Sequence, residues 1–223
     1  MRLFNGFKHI ISNHKDKCDT NLRINSNLNV KLLVIADTHG CLDDAMMQKY
    51  ELDDVQACVL LGDHSVRDIQ IIKEYIGHLP LYGVLGNHDG FDLHELCGVE
   101  NIHGRSVEVN GVRLIGLNGS IKYKDSVMPL YTDEESVEIV NKFDDADILI
   151  SHDSPKYFHS SGDDFAHSGL RGVTEYCAKH DSLNIHGHHH WPKIGVTEDG
   201  VSAICCYEVQ VVEIVDGIIT VKE

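Results

Sequence analysis

The sequence predicts an α/β fold in which two mixed β-sheets pack face to face with helices outside them. Three observations carry this. Five short apolar runs each end in a polar cluster, the first three clusters recur about 25 residues apart, and the chain later turns on Asn-Gly and Asp-Gly pairs. Runs of this length, bounded by Gly and polar residues, read as strands buried on both faces.

The elements follow in order. Leu32–Ala36 runs into Asp37-Thr38-His39-Gly40, Cys58–Leu61 into Gly62-Asp63-His64, and Leu81–Leu85 into Gly86-Asn87-His88-Asp89. The spacing leaves room for crossover helices, so these three strands are expected to be parallel. Ile148–Ile150 then leads to Ser151-His152-Asp153, and Leu183–Ile185 to His186-Gly187-His188-His189-His190. Helices are expected over 42–51, 66–77, 133–143 and 169–180. Thr132 with Glu135 fits a capping box, and Ser168 is a candidate cap for the last helix.

Asn110-Gly111, Asp199-Gly200 and Asp216-Gly217 each separate two strand-like runs and predict type I′ hairpins. Ligands in open α/β sheets bind beyond the carboxyl ends of the strands, so all five polar clusters are expected at one edge. The longer links, 118–131 and 153–168, are candidate functional loops.

Composition narrows the function. The 223 residues carry a formal net charge of −16. Phosphate-backbone affinity comes from clustered Lys and Arg, so duplex nucleic acid is not an expected partner. No apolar run approaches the roughly 18 residues of a membrane helix, and the N-terminus lacks a signal-peptide core. Seven cysteines, an odd number with no Cys-x-x-Cys, predict reduced thiols and a cytoplasmic setting.

Residues 1–29 stand apart as a basic, Asn- and Ser-rich arm. Phe4, Phe7, Ile10 and Ile11 have roughly helical spacing there, and 30–223 form the main domain. Homo-oligomerisation is left open. The 16 histidines are the unusual count and direct attention to metal ligands.

Each cluster alone is weak. Together, D-x-H, G-D, G-N-H-D, S-H and G-H-x-H in sequence, each after a buried strand, resemble the calcineurin-like metallophosphoesterase superfamily. The resemblance runs from Asp37 to His190 and implies a four-layer αββα sandwich with two metal ions at one sheet edge. It implies that Asp37, His39, Asp63 and His190 hold the first metal, and Asp63, Asn87, His152 and His188 the second.

The mixed imidazole, carboxylate and amide donors suit Mn, and also Fe, Zn, Ni or Mg. Two divalent cations outweigh the two carboxylates and make a cationic pocket on an acidic chain. Such a pair lowers the pKa of a bridging water for in-line attack on phosphorus. His88 is then the general acid, or a donor to the phosphoryl oxygens.

Arg67, Tyr123, His167 and Arg171 are candidate substrate contacts. His64 and His189 read as turned away from the metals, and His186 as a residue orienting a ligand. Val66 and Leu85 stand where the protein-phosphatase branch has a dyad Asp and a phosphate-clamping Arg. The resemblance therefore points to a small phosphodiesterase-like enzyme. The alternatives are a phosphomonoesterase or nucleotide phosphatase on the same site, or a non-catalytic scaffold of the same fold.

Overall fold

Alternate residues of the Val30–Ala36 strand face two different cores, which is why its apolar run is unbroken. Leu32, Val34 and Ala36 pack with Val59, Leu61, Ile148, Ile150, Ile185 and Ile204 between two sheets. Leu33 and Ile35 pack on the other side with Leu60, Ile69, Ile72 and Ile76. On the far side of the second sheet, Ile115, Leu117 and Leu149 meet Val140, Val173 and Tyr176 of the outer helices. The layers run helix, sheet, sheet, helix: the four-layer sandwich that the sequence predicts.

The computed structural model describes residues 22–24, 27–159 and 164–222. Phe4, Phe7, Ile10 and Ile11 of the basic arm lie outside the described residues. Farther along that arm, Leu22–Arg23 pairs antiparallel with Ile218–Ile219, and Leu22, Ile24 and Leu28 pack against the inter-sheet core.

Among the described residues, the first sheet has the order Leu22–Arg23, Ile218–Lys222, Glu208–Val215, Val30–Ala36, Ala57–Leu60, Leu81–Gly83, Glu100–Asn101. From Val30–Ala36 onward its pairs are parallel. The second has the order Lys193–Val196, Ser202–Cys205, Leu183–His186, Ile148–Ser151, Val112–Leu117, Val107–Val109. Its four inner strands are parallel. The five cluster-bearing strands are thus split three and two between the sheets, and the clusters meet because the carboxyl ends of both sheets lie at one edge.

Two of the three expected turns have the expected geometry. Asn110 and Gly111 have φ of 51° and 79°, and Asp216 and Gly217 have 49° and 76°, as a type I′ turn requires. At Asp199-Gly200 only Gly200 is left-handed, and Gly200 N–H donates to the Thr197 carbonyl at 3.0 Å. That hairpin has a longer loop, because its turn begins at Thr197.

The first helix is shorter than expected, Asp44–Met47, with Asp43 as its cap. Val66–Ile76 starts at a Ser65/Asp68 capping box, and Asp133–Val140 at the expected Thr132/Glu135 box. Leu93–Cys97 forms a short helix that the apolar pattern did not signal.

Ser168 does not cap Arg171–His180, whose N-cap is Leu170 with no side-chain bond. Its first N–H groups are taken from the neighbouring helix instead. Arg171 N donates to Asp133 Oδ1 at 2.9 Å and Gly172 N to Ser136 Oγ at 3.0 Å, which satisfies donors every helix start leaves open.

Thr132→Ala removes one half of a reciprocal cap. It is expected to destabilise the chain by about 1 kcal/mol in urea unfolding, with no change in metal content. A loss well under a few tenths of a kcal/mol would mean that this helix start depends on its packing alone.

Candidate metal centre

The polar clusters begin where the strands leave extended geometry. Asp37, His39, Asp63, His188 and His190 all have positive φ, at 54°, 46°, 60°, 71° and 48°. Each such non-Gly residue costs on the order of 1–3 kcal/mol and persists only where its surroundings force it.

Glycines supply that surrounding. A Cβ on Gly62 would strike the backbone of Gly86, and one on Gly86 would strike the Asp63 carboxylate. One on Gly187 would lie 2.7 Å from Asp37 Oδ2. The Gly of each motif is therefore the room into which an acid side chain or another loop fits.

The side chains converge in two groups. One nitrogen or oxygen from each of Asp37, His39 and His190, and likewise from each of Asp37, Asp63 and His152, lie within 4.8 Å of one another. Asp63 Oδ2 lies 3.8 Å from His39 Nε2 and 3.5 Å from His152 Nε2, so one carboxylate faces both groups. Asn87 Oδ1 lies 2.8 Å from His152 Nε2, and His190 Nε2 lies 3.5 Å from Asp37 Oδ1.

His188 is in neither group. Its ring packs 4.8 Å from His152, its backbone N–H donates to Asp37 Oδ2, and its Nε2 faces the Ala166 carbonyl at 3.0 Å. A carbonyl only accepts, so Nε2 carries the proton. The lone pair of the neutral ring is then on Nδ1.

These atoms fit cations. His152 Nδ1 is 2.7 Å from the Leu61 carbonyl and must donate to it, so His152 Nε2 is the atom turned to Asn87 and Asp63. Asp37 Oδ1 is buried with no hydrogen-bond partner. Nε2 of His39 and Nε2 of His190 face each other at 3.2 Å. Acceptors converge here without donors to match, as around a divalent ion whose histidine ligands are oriented from behind by carbonyls.

Burial alone would raise Asp37, but the His190 imidazole and the charge at His152 outweigh it and hold the carboxyl below its usual range. Burial likewise lowers His152, but Asp63 and Asp37 outweigh it and raise this imidazole. Burial brings His188 down to about 4, leaving it neutral near pH 7 as a ligand must be.

Three buried acids that the motif reading passed over hold the loops. Asp89 accepts from the N–H groups of Asp63, His64 and Gly86 at 2.8, 3.0 and 2.7 Å. Asp68 accepts from Thr38 Oγ1, Gly40 N, Leu42 N and Ser65 N, tying the first motif to a helix start. Asp153 accepts from Ile121 N and Ser154 N; burial raises it, but nearby His188 and His189 outweigh that and bring it to about 2. Asp89 and Asp153 had a signal, each lying one or two residues from a motif ligand. Asp68 is legible as the third helical residue after Ser65.

The candidate substrate contacts divide. The Tyr123 hydroxyl accepts from Asn87 Nδ2 at 3.2 Å, and the His167 ring lies 4.8 Å from that of His188. Arg67 instead donates to the carbonyls of Gly40 and Leu42, bracing the first motif loop. Arg171 pairs with Glu134 and Glu175 on the outer helices, and among the described residues no contact joins it to the group. Of the other motif histidines, His64 hydrogen-bonds Thr38 Oγ1, and His189 turns to Ser154 Oγ and Asp153.

Gly86→Ala pushes on the Asp63 carboxylate and is expected to abolish divalent-metal uptake, read by elemental analysis of the purified chain; parental metal content would contradict that displacement. Asp89→Asn places N–H against N–H and is expected to weaken metal affinity about 10–100-fold in a metal titration. An unchanged affinity would show that the loops hold without it.

A family model described as the calcineurin-like phosphoesterase superfamily domain matches residues 30–206. A dimetal phosphatase from Danio rerio superposes with a TM-score of 0.56 at 12% identity, over 86% of this chain and 95% of that one. A 5′-nucleotidase from Candida albicans superposes with a TM-score of 0.55 at 11% identity, over 88% of this chain and 50% of that one. An uncharacterized protein of Haemophilus influenzae is 23% identical over 202 residues, 71% of this chain and 83% of that protein. The structural likenesses speak to the fold; the family match, lying over the motifs that bring Asp37, Asp63 and His152 together, places this chain in the calcineurin-like phosphoesterase superfamily, a family of metal-dependent hydrolases.

Proposed function

We propose that this chain hydrolyses a small phosphodiester using two divalent cations, manganese foremost. The observation that carries the reading is the pair of donor groups sharing Asp37, with Asp63 Oδ2 facing His39 on one side and His152 on the other. Asp37, His39, Asp63 and His190 would hold one cation, and Asp63, Asn87, His152 and His188 the other. Bound there, the cations supply Lewis acidity toward phosphoryl oxygens and lower the pKa of water.

The chain's own residues do the rest. His88 donates its backbone N–H to Asp63 Oδ1 at 2.8 Å, which ties its position to the shared carboxylate. Its imidazole is exposed, 5.5 Å ring to ring from His39. From there it passes a proton to the leaving oxygen. Tyr123 and His167 border the same group and are proposed to contact substrate.

The engagement of Arg67 and Arg171 elsewhere favours a diester. A monoester dianion gains most from a bidentate guanidinium, and the described contacts give this site none. The reduced state of all six described cysteines is in keeping with a cytoplasmic setting. No helix among the described residues is long and apolar enough to cross a membrane.

The test compares kcat/KM for bis-p-nitrophenyl phosphate and p-nitrophenyl phosphate under Mn2+, Ni2+ and Mg2+. A diester preference supports the proposal, a monoester preference replaces it, and no turnover with any metal identifies a scaffold. Asp63→Asn should lose turnover and metal together. His88→Ala should lower turnover about 10²–10⁴-fold while metal content stays; full activity on a poor leaving group would remove His88 from the acid role.

A further inference from the structure

A second cluster of donors lies on the outer face of the second sheet, apart from the two groups above. His186 and Cys205 are register partners on adjacent parallel strands. Their chain neighbours Ile185 and Ile204 point into the inter-sheet core, so His186 and Cys205 point outward together. The Phe158–His159 turn of the long link covers them, and Lys193 Nζ fixes that turn by donating to the Phe158 carbonyl at 2.6 Å. His159, His186 and Cys205 each offer one atom within 4.8 Å of the other two.

The hydrogen bonds decide where the lone pairs point. Asn184 Nδ2 donates to the Leu149 carbonyl and to Ser151 Oγ, leaving its Oδ1 as an acceptor for His186 Nδ1 at 2.8 Å. In the neutral His186 ring the free lone pair is therefore on Nε2. That atom faces His159 Nε2 at 3.1 Å. Tetrahedral zinc with Zn–N bonds of about 2.0–2.1 Å holds two ligand nitrogens about 3.3 Å apart. The same nitrogen-to-nitrogen approach, 3.2 Å between His39 and His190, occurs in the first donor group of the metal centre.

We propose that His159 Nε2, His186 Nε2 and Cys205 Sγ form a third metal site, distinct from the dinuclear centre and suited to a zinc-class cation. Two imidazoles and a thiolate are the donor set such an ion prefers over Mg or Mn. The thiol's contacts with carbonyls are long, Gly187 at 3.6 Å and Cys206 at 4.0 Å, while the backbone N–H groups of His189 and Trp191 lie where they favour a thiolate. Burial pushes the Cys205 thiol up, so it is protonated without a cation. On binding, the S–H bond breaks, the S–metal bond forms and the proton leaves to solvent, with no change of oxidation state. The bound ion would clip the 153–168 link to the sheet. His159 stacks on His189 at 3.7 Å, and His189 adjoins His188, so the clip would set the wall of the catalytic edge.

Cobalt(II) titration of the full chain tests this, because a sulfur-to-cobalt charge-transfer absorption requires a thiolate ligand and none belongs to the dinuclear set. The band is expected in the parent, and is expected to vanish in Cys205→Ser and in His159→Ala, a change on the covering link that spares the sheet. It should persist in Cys41→Ser, since Cys41 is an exposed thiol lining one pocket with Asp37 and His39. It should also persist in Asp63→Asn, which empties the dinuclear centre alone. No band at saturation, a band that survives Cys205→Ser, or a band lost with Asp63→Asn would overturn the proposal. If Asp63→Asn kept its full metal content while the band remained, the dinuclear reading would fail and this one would stand.

Discussion

The carboxylate of Asp63 is the constraint on which the rest of this molecule depends. It ends a strand of the first sheet, yet its Oδ2 faces His39 from a neighbouring strand end and His152 from the other sheet. Its other oxygen takes the backbone N–H of His88. For one side chain to do this, the two sheets must present their carboxyl ends at the same height. The Gly86 loop must also pass so close that no Cβ fits between. Packing of the inter-sheet core supplies the first condition, and the backbone freedom of glycine the second.

The cost of this arrangement is electrostatic. Asp37 and Asp63 are both buried and belong to one donor group. Like charges at such range repel in a low-dielectric site unless cations or protonated imidazoles stand between them. Burial lowers His152, yet the two carboxylates raise it overall. The chain by itself answers the problem with protons, and divalent ions answer it better. An acidic protein can thus present a cationic face at the one edge where a phosphoester would bind.

Acids are divided by task. Asp37 and Asp63 keep oxygens turned toward the centre, whereas Asp68, Asp89 and Asp153 spend theirs on backbone N–H groups of the loops that carry the ligands. A carboxylate accepting several N–H bonds holds a left-handed turn against its tendency to relax. That is the physical basis for the positive φ at Asp37, His39 and Asp63. Without those anchors the motif residues would be present but loosely placed, and metal geometry tolerates little looseness.

By itself the sequence determined the strands of the core, their polar ends, two of the three tight turns and the family. Each of these is a local pattern: an apolar run, an Asn-Gly or Asp-Gly pair, a spaced motif. It did not determine that Arg171 would pair with Glu134 and Glu175, or that the last helix would be capped from its neighbour, because those partners lie in separate segments. The nearness of Cys205 to His186, and of His159 to both, was equally hidden, since it arises from strand register and the path of a long link. Tertiary structure decided these points because a side chain's partners are set by which strands and loops come together, and that is settled by packing across the whole chain.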